Sequence, residues 1–330
     1  GTALILWFGG TQKATWAVSY GTVVTMILYT NQAFQPIRDL ADKYNILQAA
    51  MAASERIFGL LDEVQEPADV DDPIALEQVR GEIEFKNVTF GYEPANPVLR
   101  DVSFKINAGE SVAIVGATGA GKTSLISIMS RFYDIQEGAI LLDGVDIRDM
   151  RRADVRRHIG TVLQDPVLFS GTITSNIRLH NEDVSDEQVR RAAIFVNADR
   201  FIDKLPDGYD HEVRERGANF SAGQRQLIAF ARAIAFDPEV LLVLDEATSS
   251  VDTETETLIQ DALERLMTGR TSIIIAHRLF TIRHVDRIIV LHKGKLVEQG
   301  THDDLLEAQG FYHRLYELQY QEQETASRTV

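Results

Sequence analysis

The hydrophobic and polar positions divide this chain into an apolar beginning, a helical segment, a polar stretch and a long mixed region. No charged residue occurs from Ala14 to Ile37, and an apolar stretch of this length predicts a helix that spans a bilayer. The run from Thr2 to Gly10 is too short to span alone and is interpreted as the end of a preceding span. Because Thr, Asn and Gln dilute the apolar character of the longer stretch, a buried helix of a soluble domain is the alternative.

The apolar positions after Arg38 recur at helical spacing, which predicts that the helix continues with an amphipathic pattern into the cytoplasm. Acidic residues and prolines dominate from Asp62 to Pro73, as is typical of a linker. The predicted organisation is a remnant of a transmembrane domain in 1–61, a linker in 62–80, a folded domain in 81–318 and a polar tail in 319–330.

Two kinds of strand are predicted in the folded domain. Short alternating runs from Ile83 to Val88 and from Val98 to Ile106 favour antiparallel strands with one buried face. The runs 111–115, 240–244 and 272–276 are nearly continuously aliphatic, as in parallel strands that are covered on both faces. Helical patterns lie between these runs, so the sequence predicts an α/β domain with a mixed sheet.

The composition narrows the classes of function. Of 330 residues, 49 are acidic and 33 are basic, and the formal net charge is -16. This balance argues against a dedicated nucleic-acid surface, because phosphate binding along a nucleic acid needs a clustered basic face. The absence of cysteine excludes disulfides, thiolate metal sites and cysteine nucleophiles.

The most specific local pattern is the glycine-rich run from Gly116 to Thr123, which reads GATGAGKT and lies between an aliphatic strand and a helical pattern. Its glycines permit a turn whose backbone N–H groups surround phosphates, and the N-terminus of the following helix adds its dipole. Lys122 is expected to reach the β- and γ-phosphates, and Thr123 is expected to bind magnesium. The run therefore predicts a site for a nucleoside triphosphate with Mg2+.

A second aliphatic strand ends in Asp245 and Glu246, which places two carboxylates at the edge of a parallel sheet where ligands bind. Asp245 suits a magnesium ligand, and Glu246 can orient or deprotonate the attacking water. Taken alone, the pair also fits the ordinary acidic start of a helix. The glycine-rich run favours the catalytic interpretation.

The segment from Asn219 to Gln224 reads NFSAGQ and resembles the signature motif of ATP-binding cassette (ABC) proteins, which usually reads LSGGQ. In that family the motif binds the γ-phosphate held by the opposite subunit. A serine hydroxyl at Ser221, the backbone of Gly223 and a helix N-terminus together offer hydrogen-bond donors to an anion. Ser221 and Gln224 also fit a capping box, which is the alternative role for the two residues.

Further landmarks of the ABC family follow in the expected order. Tyr92 resembles the aromatic residue that stacks on adenine, and Gln164 resembles the glutamine that touches magnesium and links the site to the membrane domain. Asp252 resembles a residue of the loop that crosses the dimer interface, and His277 resembles the switch histidine near the γ-phosphate. The run Glu215-Arg216-Gly217 is similar to a loop through which exporters sense the membrane domain. A core aromatic residue and a solvent-facing glutamine are the alternative roles for Tyr92 and Gln164.

The resemblance covers about residues 81–318 and implies a P-loop NTPase fold: an ABC nucleotide-binding domain with a mixed sheet, an antiparallel β subdomain and a helical subdomain, preceded by a transmembrane helix segment. It implies ATP and Mg2+ as cofactors. The catalytic residues it implies are Glu246, His277, Gln164 and Lys122, and those around the metal are Thr123, Gln164 and Asp245. The nucleotide contacts it implies are Tyr92, Gly116, Thr118, Gly119, Ala120, Gly121, Lys122, Thr123, Ser124, Gln164, Asp245, Ser221, Gly223, Gln224 and Asp252.

The same resemblance implies the carboxyl half of an exporter subunit in the cell membrane, multi-pass at full length, with a cytoplasmic cassette that works head to tail with a second ABC subunit. Glu246 and His277 are present, but Ala222 replaces the usual first glycine of the signature, so a heterodimer is the hypothesis and a homodimer is the alternative. A soluble ABC ATPase of DNA repair or translation and a catalytically silent regulatory cassette are the interpretations from other classes. The sequence does not identify a transported substrate.

Overall fold

The structure, a computed structural model, describes residues 1–11, 19–62, 69–163, 166–179, 181–245, 253–276 and 282–318. The chain divides into two compact units, Gly1–Gln65 and Glu66–Val330. In the described residues the first unit is helical, and the second contains the strands.

The first unit contains two helices in its described residues, α1 (Thr2–Thr11) and α2 (Tyr20–Leu61). The hydroxyl of Ser19 caps α2 by accepting a hydrogen bond from the backbone N–H three residues later. The helix runs on through Pro36, so the predicted helical continuation beyond Arg38 is confirmed.

Most of the predicted membrane span, from Tyr20 to Ile37, lies in α2. Within the described ranges, no helix is both long enough and apolar enough to cross a bilayer. The expected span over Ala14 to Ile37 is corrected accordingly for its described part, and residues 12–18 lie outside the described residues. The reason is compositional, since threonine, asparagine and glutamine side chains between Thr22 and Gln35 lower the mean hydropathy of the helix.

The second unit has twelve strands in its described residues. They are β1 (Ile83–Phe90), β2 (Leu99–Ile106), β3 (Ser111–Val115), β4 (Glu137–Leu142), β5 (Val145–Asp146), β6 (Ile159–Val162), β7 (Gly171–Thr172), β8 (Glu212–Val213), β9 (Val240–Asp245), β10 (Thr271–Ala276), β11 (Arg287–His292) and β12 (Lys295–Gly300).

The helices of this unit lie mostly between the strands along the chain. They are α3 (Lys122–Met129), α4 (Arg152–His158), α5 (Ile173–Arg178), α6 (Asp186–Phe195), α7 (Asp199–Ile202), α8 (Ala222–Ala235), α9 (Thr253–Met267), α10 (His302–Glu307) and α11 (311–318). A short 3-10 turn, Glu215–Gly217, precedes α8.

Six strands form a sheet in the order β12–β11–β3–β10–β9–β6, in which all neighbours are parallel except β11 and β12. Four strands form an antiparallel sheet in the order β2–β1–β4–β5, and β7 pairs with β8. The alternating runs are thus the antiparallel strands β1 and β2, and the aliphatic runs are the parallel strands β3, β9 and β10. Both predictions are confirmed.

The six-stranded sheet is buried on both faces, which explains its aliphatic strands. One face, which includes Ala113 and Val115, shares a core with residues of α5, α6, α8 and α9. The opposite face, which includes Val112 and Ile114, shares a core with β1, β2, β4 and α3. Because side chains alternate along a strand, β3 is held between the helical part and the antiparallel sheet.

The second unit begins before β1, and its described residues from Asp69 onward are already fastened to the rest of that unit. Asp69 accepts a hydrogen bond from the backbone N–H of Arg152 at 2.9 Å, and its carboxylate lies 3.6 Å from the guanidinium of the buried Arg131. The Arg152 N–H holds the pKa of Asp69 below its usual value of 3.8. The segment expected to act as a linker, 62–80, is therefore fastened to the domain from Asp69 onward.

Candidate functional site

The carboxyl ends of three parallel strands lie side by side. Ile114 of β3, Ile275 of β10 and Leu244 of β9 are aligned across the sheet, so the residues that follow them leave the sheet at one edge. The glycine-rich run follows β3, and Asp245 is the last residue of β9. Because neighbouring strands are about 5 Å apart, Gly116 and Asp245 emerge roughly 10 Å from each other. Open α/β sheets bind their ligands at this edge.

The loop after β3 packs so closely that Gly116 has no room for a side chain. A Cβ atom at Gly116 would lie 2.3 Å from the carbonyl oxygen of Leu291 on β11. The backbone N–H of Ala120 donates to the carbonyl of Ala117 at 3.0 Å, and the N–H of Gly294 donates to the carbonyl of Ala120 at 3.2 Å. These contacts hold the loop as a compact turn against β11, with the shape of a preformed phosphate cradle.

Lys122 begins α3, and its side chain turns back into the loop. Its Nζ donates to the carbonyl oxygens of Gly116 at 2.7 Å and Ala117 at 3.2 Å, and the residue is only 7% exposed. Gly121, immediately before it, has no side chain to cap the helix, so the first backbone N–H groups of α3 are available to an anion. A cation and a helix N-terminus therefore converge on one loop.

The remaining loop residues divide by exposure. Thr118 and Gly119 are exposed at the tip of the loop, whereas Ala120 is buried beneath it. Thr123 is exposed in the first turn of α3, where its hydroxyl is accessible to a metal ion. Ser124 is buried and faces Tyr92. An exposed hydroxyl beside a phosphate cradle fits magnesium, which takes one or two protein oxygens and completes its shell with phosphate and water.

Tyr92 lies against the helix that carries the phosphate loop. Its hydroxyl is 3.2 Å from that of Ser124, and its ring meets Phe90 and Tyr133 edge to face, at centroid distances of 5.2 and 5.1 Å. It is 52% exposed. The structure therefore brings Tyr92 to the helix that follows the phosphate loop, although 24 residues separate it from Gly116 in the sequence. It does not sit in the core, which was the alternative role.

Four of the expected site residues, Gln164, Glu246, Asp252 and His277, lie outside the described residues. The strands that lead to three of them end at the ligand edge: β9 ends directly before Glu246, β10 ends at Ala276 directly before His277, and β6 ends two residues before Gln164. Over the described part of the chain, no group of three or more His, Asp or Glu is placed to bind a metal ion.

The signature segment forms the start of α8. Ser221 caps the helix: its hydroxyl accepts a hydrogen bond from the N–H of Gln224 at 3.2 Å, and the amide oxygen of Gln224 accepts one from the N–H of Ser221 at 3.0 Å. The predicted capping box is therefore present. The exposed serine hydroxyl still has its own proton to donate, so the cap is compatible with phosphate binding. Ala222 is the first residue of the helix, and Gly223 is buried.

Arg232 ties α8 to the segment that follows Gln164. Its Nε donates to the carbonyl of Asn176 at 2.9 Å, and its Nη1 donates to the carbonyl of Val167 at 3.1 Å. Burial lowers the pKa of this guanidinium, because removal from water disfavours the charged form. The carbonyl oxygens compensate in part, so the signature helix and this segment are held as one body.

Sequence reasoning missed two residues that support the site, Tyr133 and Gln136. Both follow α3, and both contact the segment that carries Tyr92. A tyrosine and a glutamine just after a helix carry no motif of their own. The sequence did contain one signal, the aromatic pair Phe132-Tyr133 shortly after the phosphate-loop helix. In the structure these two side chains are exposed and do not belong to the core.

Comparison with known proteins places the site in context. Residues 99–249 match the family model described as ABC transporter. The chain is 46% identical, over 97% of its length, to a putative ABC transporter ATP-binding protein of Streptococcus pneumoniae. It is 45% identical, over 96% of its length, to a probable multidrug resistance ABC transporter ATP-binding/permease protein of Bacillus subtilis.

A solved structure of a bacterial Atm1-family ABC exporter with ATP bound is similar to this chain, with a TM-score of 0.73 and 40% identity over 92% of the chain. The chain spans 54% of the Streptococcus relative, 47% of the Bacillus relative and 53% of the solved exporter chain. It therefore corresponds to about half the length of these relatives.

Proposed function

Because this chain belongs to the ABC transporter family, we propose that it binds and hydrolyses Mg-ATP and thereby drives export across a membrane as part of a dimeric transporter. One observation carries the proposal: a tight glycine loop with an inward lysine lies at the same sheet edge as the acidic end of β9. That arrangement supports triphosphate binding and in-line attack by water in one place.

The residues assigned to the site have different roles in binding and hydrolysis. The backbone N–H groups of the loop and of the first turn of α3 hold phosphate oxygens, and Lys122 leaves the loop carbonyls to pair with the β- and γ-phosphates. Thr123 and Asp245 hold Mg2+, which neutralises phosphate charge when bound. Glu246 orients the water, Gln164 contacts the Mg2+ as well, and His277 lies near the γ-phosphate. The ring of Tyr92 stacks on the adenine.

We further propose that a second ABC subunit, placed head to tail, completes the site with its own signature and interface loop, and that Ser221, Gly223, Gln224 and Asp252 of this chain complete the site of that subunit. A heterodimer is favoured because Ala222 adds a methyl group where a backbone approaches phosphate, while this chain carries its own Glu246. A homodimer that tolerates the alanine is the alternative. The membrane location and the export activity belong to the longer protein, and the permease and exporter descriptions of the relatives support them.

Replacement of Glu246 by Gln tests the proposal. Mg-ATP binding is measured by equilibrium dialysis, and ATP hydrolysis is measured as phosphate release, for the wild type and for the variant. We expect ATP to stay bound while turnover falls by about 100-fold or more, since a general base contributes roughly 10²- to 10⁴-fold. Glu307→Gln, at an exposed position at the end of α10, is the matched control and keeps full turnover. Unchanged hydrolysis in Glu246→Gln removes Glu246 from its role, and a wild-type chain that binds no Mg-ATP refutes the proposed function.

A further inference from the structure

The segment that follows α3 is hydrogen-bonded to the backbone next to Tyr92. The side-chain amide of Gln136 makes two hydrogen bonds to Gly91: its Nε2 donates to the carbonyl at 2.7 Å, and its Oε1 accepts from the N–H at 2.8 Å. The backbone N–H of Gln136 also donates to the carbonyl of Thr89 at 3.1 Å. Both backbone polar atoms of Gly91, the residue before Tyr92, are thereby held by one side chain.

Gly91 is shaped for this contact. A Cβ atom at this position would lie 2.6 Å from the carbonyl oxygen of Asn96, so no larger residue fits without movement of the backbone. The chain turns sharply here, because Glu93 and Asn96 form a bridge directly after Tyr92. The tight turn and the amide grip together fix the position of the Tyr92 Cα atom.

The same segment also holds the ring of Tyr92. The ring of Tyr133 meets it edge to face, with a centroid distance of 5.1 Å and an interplanar angle of 87°. Phe90, which is buried, meets it at 5.2 Å and 76°, and the hydroxyl of Ser124 lies 3.2 Å from its own. The ring is thus held by two aromatic neighbours and at its hydroxyl, yet 52% of the residue stays exposed.

These contacts carry a function because an aromatic side chain that is already ordered binds a base more tightly. Ordering a side chain on binding costs about 0.5–1.5 kcal/mol, and a ring that is held in place beforehand avoids that cost. Edge-to-face pairs have the same order of strength, so they can hold the ring.

We propose that Tyr133 and Gln136 are positioning residues for recognition of the nucleotide base: they hold Tyr92 beside the phosphate loop, so that the chain binds a purine nucleoside triphosphate more tightly than the bare triphosphate. This inference rests on the proposed nucleotide-binding function and adds to it the residues that position the ring against which the base stacks.

The test compares two ligands on the full 330-residue chain, Mg-ATP and Mg-tripolyphosphate, by equilibrium dialysis. We expect Tyr133→Leu to weaken ATP binding roughly 2- to 12-fold, which is the ordering cost expressed as a ratio of Kd values, and to leave tripolyphosphate binding unchanged. Tyr133→Phe keeps the ring and should bind ATP like the wild type. Gln136→Glu keeps the acceptor but loses the donor to Gly91, and it should show the same loss confined to ATP.

A double-mutant cycle with Tyr92→Ala isolates the route of action. In the Tyr92→Ala background, Tyr133→Leu should cause no further loss of ATP affinity, because there is no ring left to position. An equal loss for both ligands in Tyr133→Leu and Gln136→Glu, or a full additional loss in the Tyr92→Ala background, overturns the inference. A wild-type chain that binds both ligands equally overturns it too, while leaving phosphate binding intact; a chain that binds neither refutes the proposed function instead.

Discussion

Lys122 shows how much of the site depends on a single side chain. In the structure its ammonium group is surrounded by the carbonyl oxygens of its own loop, at 2.7 and 3.2 Å from those of Gly116 and Ala117. A lysine in that position adds a charge where backbone N–H groups already favour an anion. The same loop without this charge keeps its shape-determining glycines but loses its strongest attraction for phosphate.

We therefore expect Lys122→Ala to weaken Mg-ATP binding roughly 10- to 100-fold, because hydrogen bonds to charged groups contribute about 1.5–3 kcal/mol. Titration calorimetry with Mg-ATP measures the change. Lys86→Ala is the control, since Lys86 is an exposed lysine on β1 that pairs with Glu84. Equal affinity in wild type and Lys122→Ala would mean that the loop does not hold the triphosphate.

Residues that act through contiguous motifs could be predicted from the sequence, and those that act at a distance could not. Gly116 to Thr123 form one run, so their spacing alone indicated the loop. Gln136 is hydrogen-bonded to Gly91, which lies 45 residues earlier in the sequence. Only the pairing of β1 with β4 brings the two residues together. No local pattern contains that information.

At the scale of elements, the start of α8 combines stability and binding in one residue. Ser221 caps the helix through Gln224, and its exposed hydroxyl is also the proposed donor to the partner's phosphate. The chain offers a matched comparison on α6, where Ser185 forms the same capping box with Gln188 and faces solvent. Replacing each serine in turn therefore distinguishes the effect of helix capping from the effect of phosphate binding.

Ser221→Ala and Ser185→Ala should each lower the free energy of unfolding by about 1 kcal/mol, the usual cost of losing an N-cap. Denaturant unfolding measures that loss. If this chain pairs with itself, ATP hydrolysis should fall only in Ser221→Ala, because only this serine lies in the signature that completes the neighbouring site. An equal loss of ATP hydrolysis in both variants would mean that Ser221 acts only as a helix cap.

The long helix α2 shows the limit of pattern reading for elements. Its existence beyond Arg38 followed from helical spacing of apolar positions, and the structure confirms it. Within the described residues it is not apolar enough to qualify as a membrane span, because threonine, asparagine and glutamine carry no charge but supply little apolar surface. The absence of charged residues predicts a membrane span less well than the summed transfer free energies of all the side chains in the helix.

At the scale of the whole molecule, head-to-tail pairing has a measurable consequence. In such a dimer each site takes its phosphate loop from one chain and its signature from the other, so a Lys122→Ala chain and a Ser221→Ala chain would form one intact site between them if this chain paired with itself. Random mixing would then restore about a quarter of the wild-type rate, because about half of the dimers are mixed and each has one intact site of two.

Under the heterodimer proposal, the outcome differs. Mixing the two variants should restore no hydrolysis beyond the sum of their separate rates, since neither variant supplies the other subunit. Phosphate release by the equimolar mixture is the measurement. Recovery to about a quarter of the wild-type rate would establish the homodimer, and with it a tolerance for Ala222 in the signature.

The sequence by itself determined the elements and the chemistry that contiguous residues carry: the aliphatic parallel strands, the phosphate loop, the acidic end of β9 and the capped start of α8. These follow from side-chain periodicity and local backbone preference, which act over a few residues. Only the tertiary structure decided that β10 lies between β3 and β9, that Asp69 is fastened to Arg152, and that Gln136 and Tyr133 hold Tyr92 against the loop helix. Those contacts join distant parts of the chain, and it is the packing of two cores against one sheet that selects them.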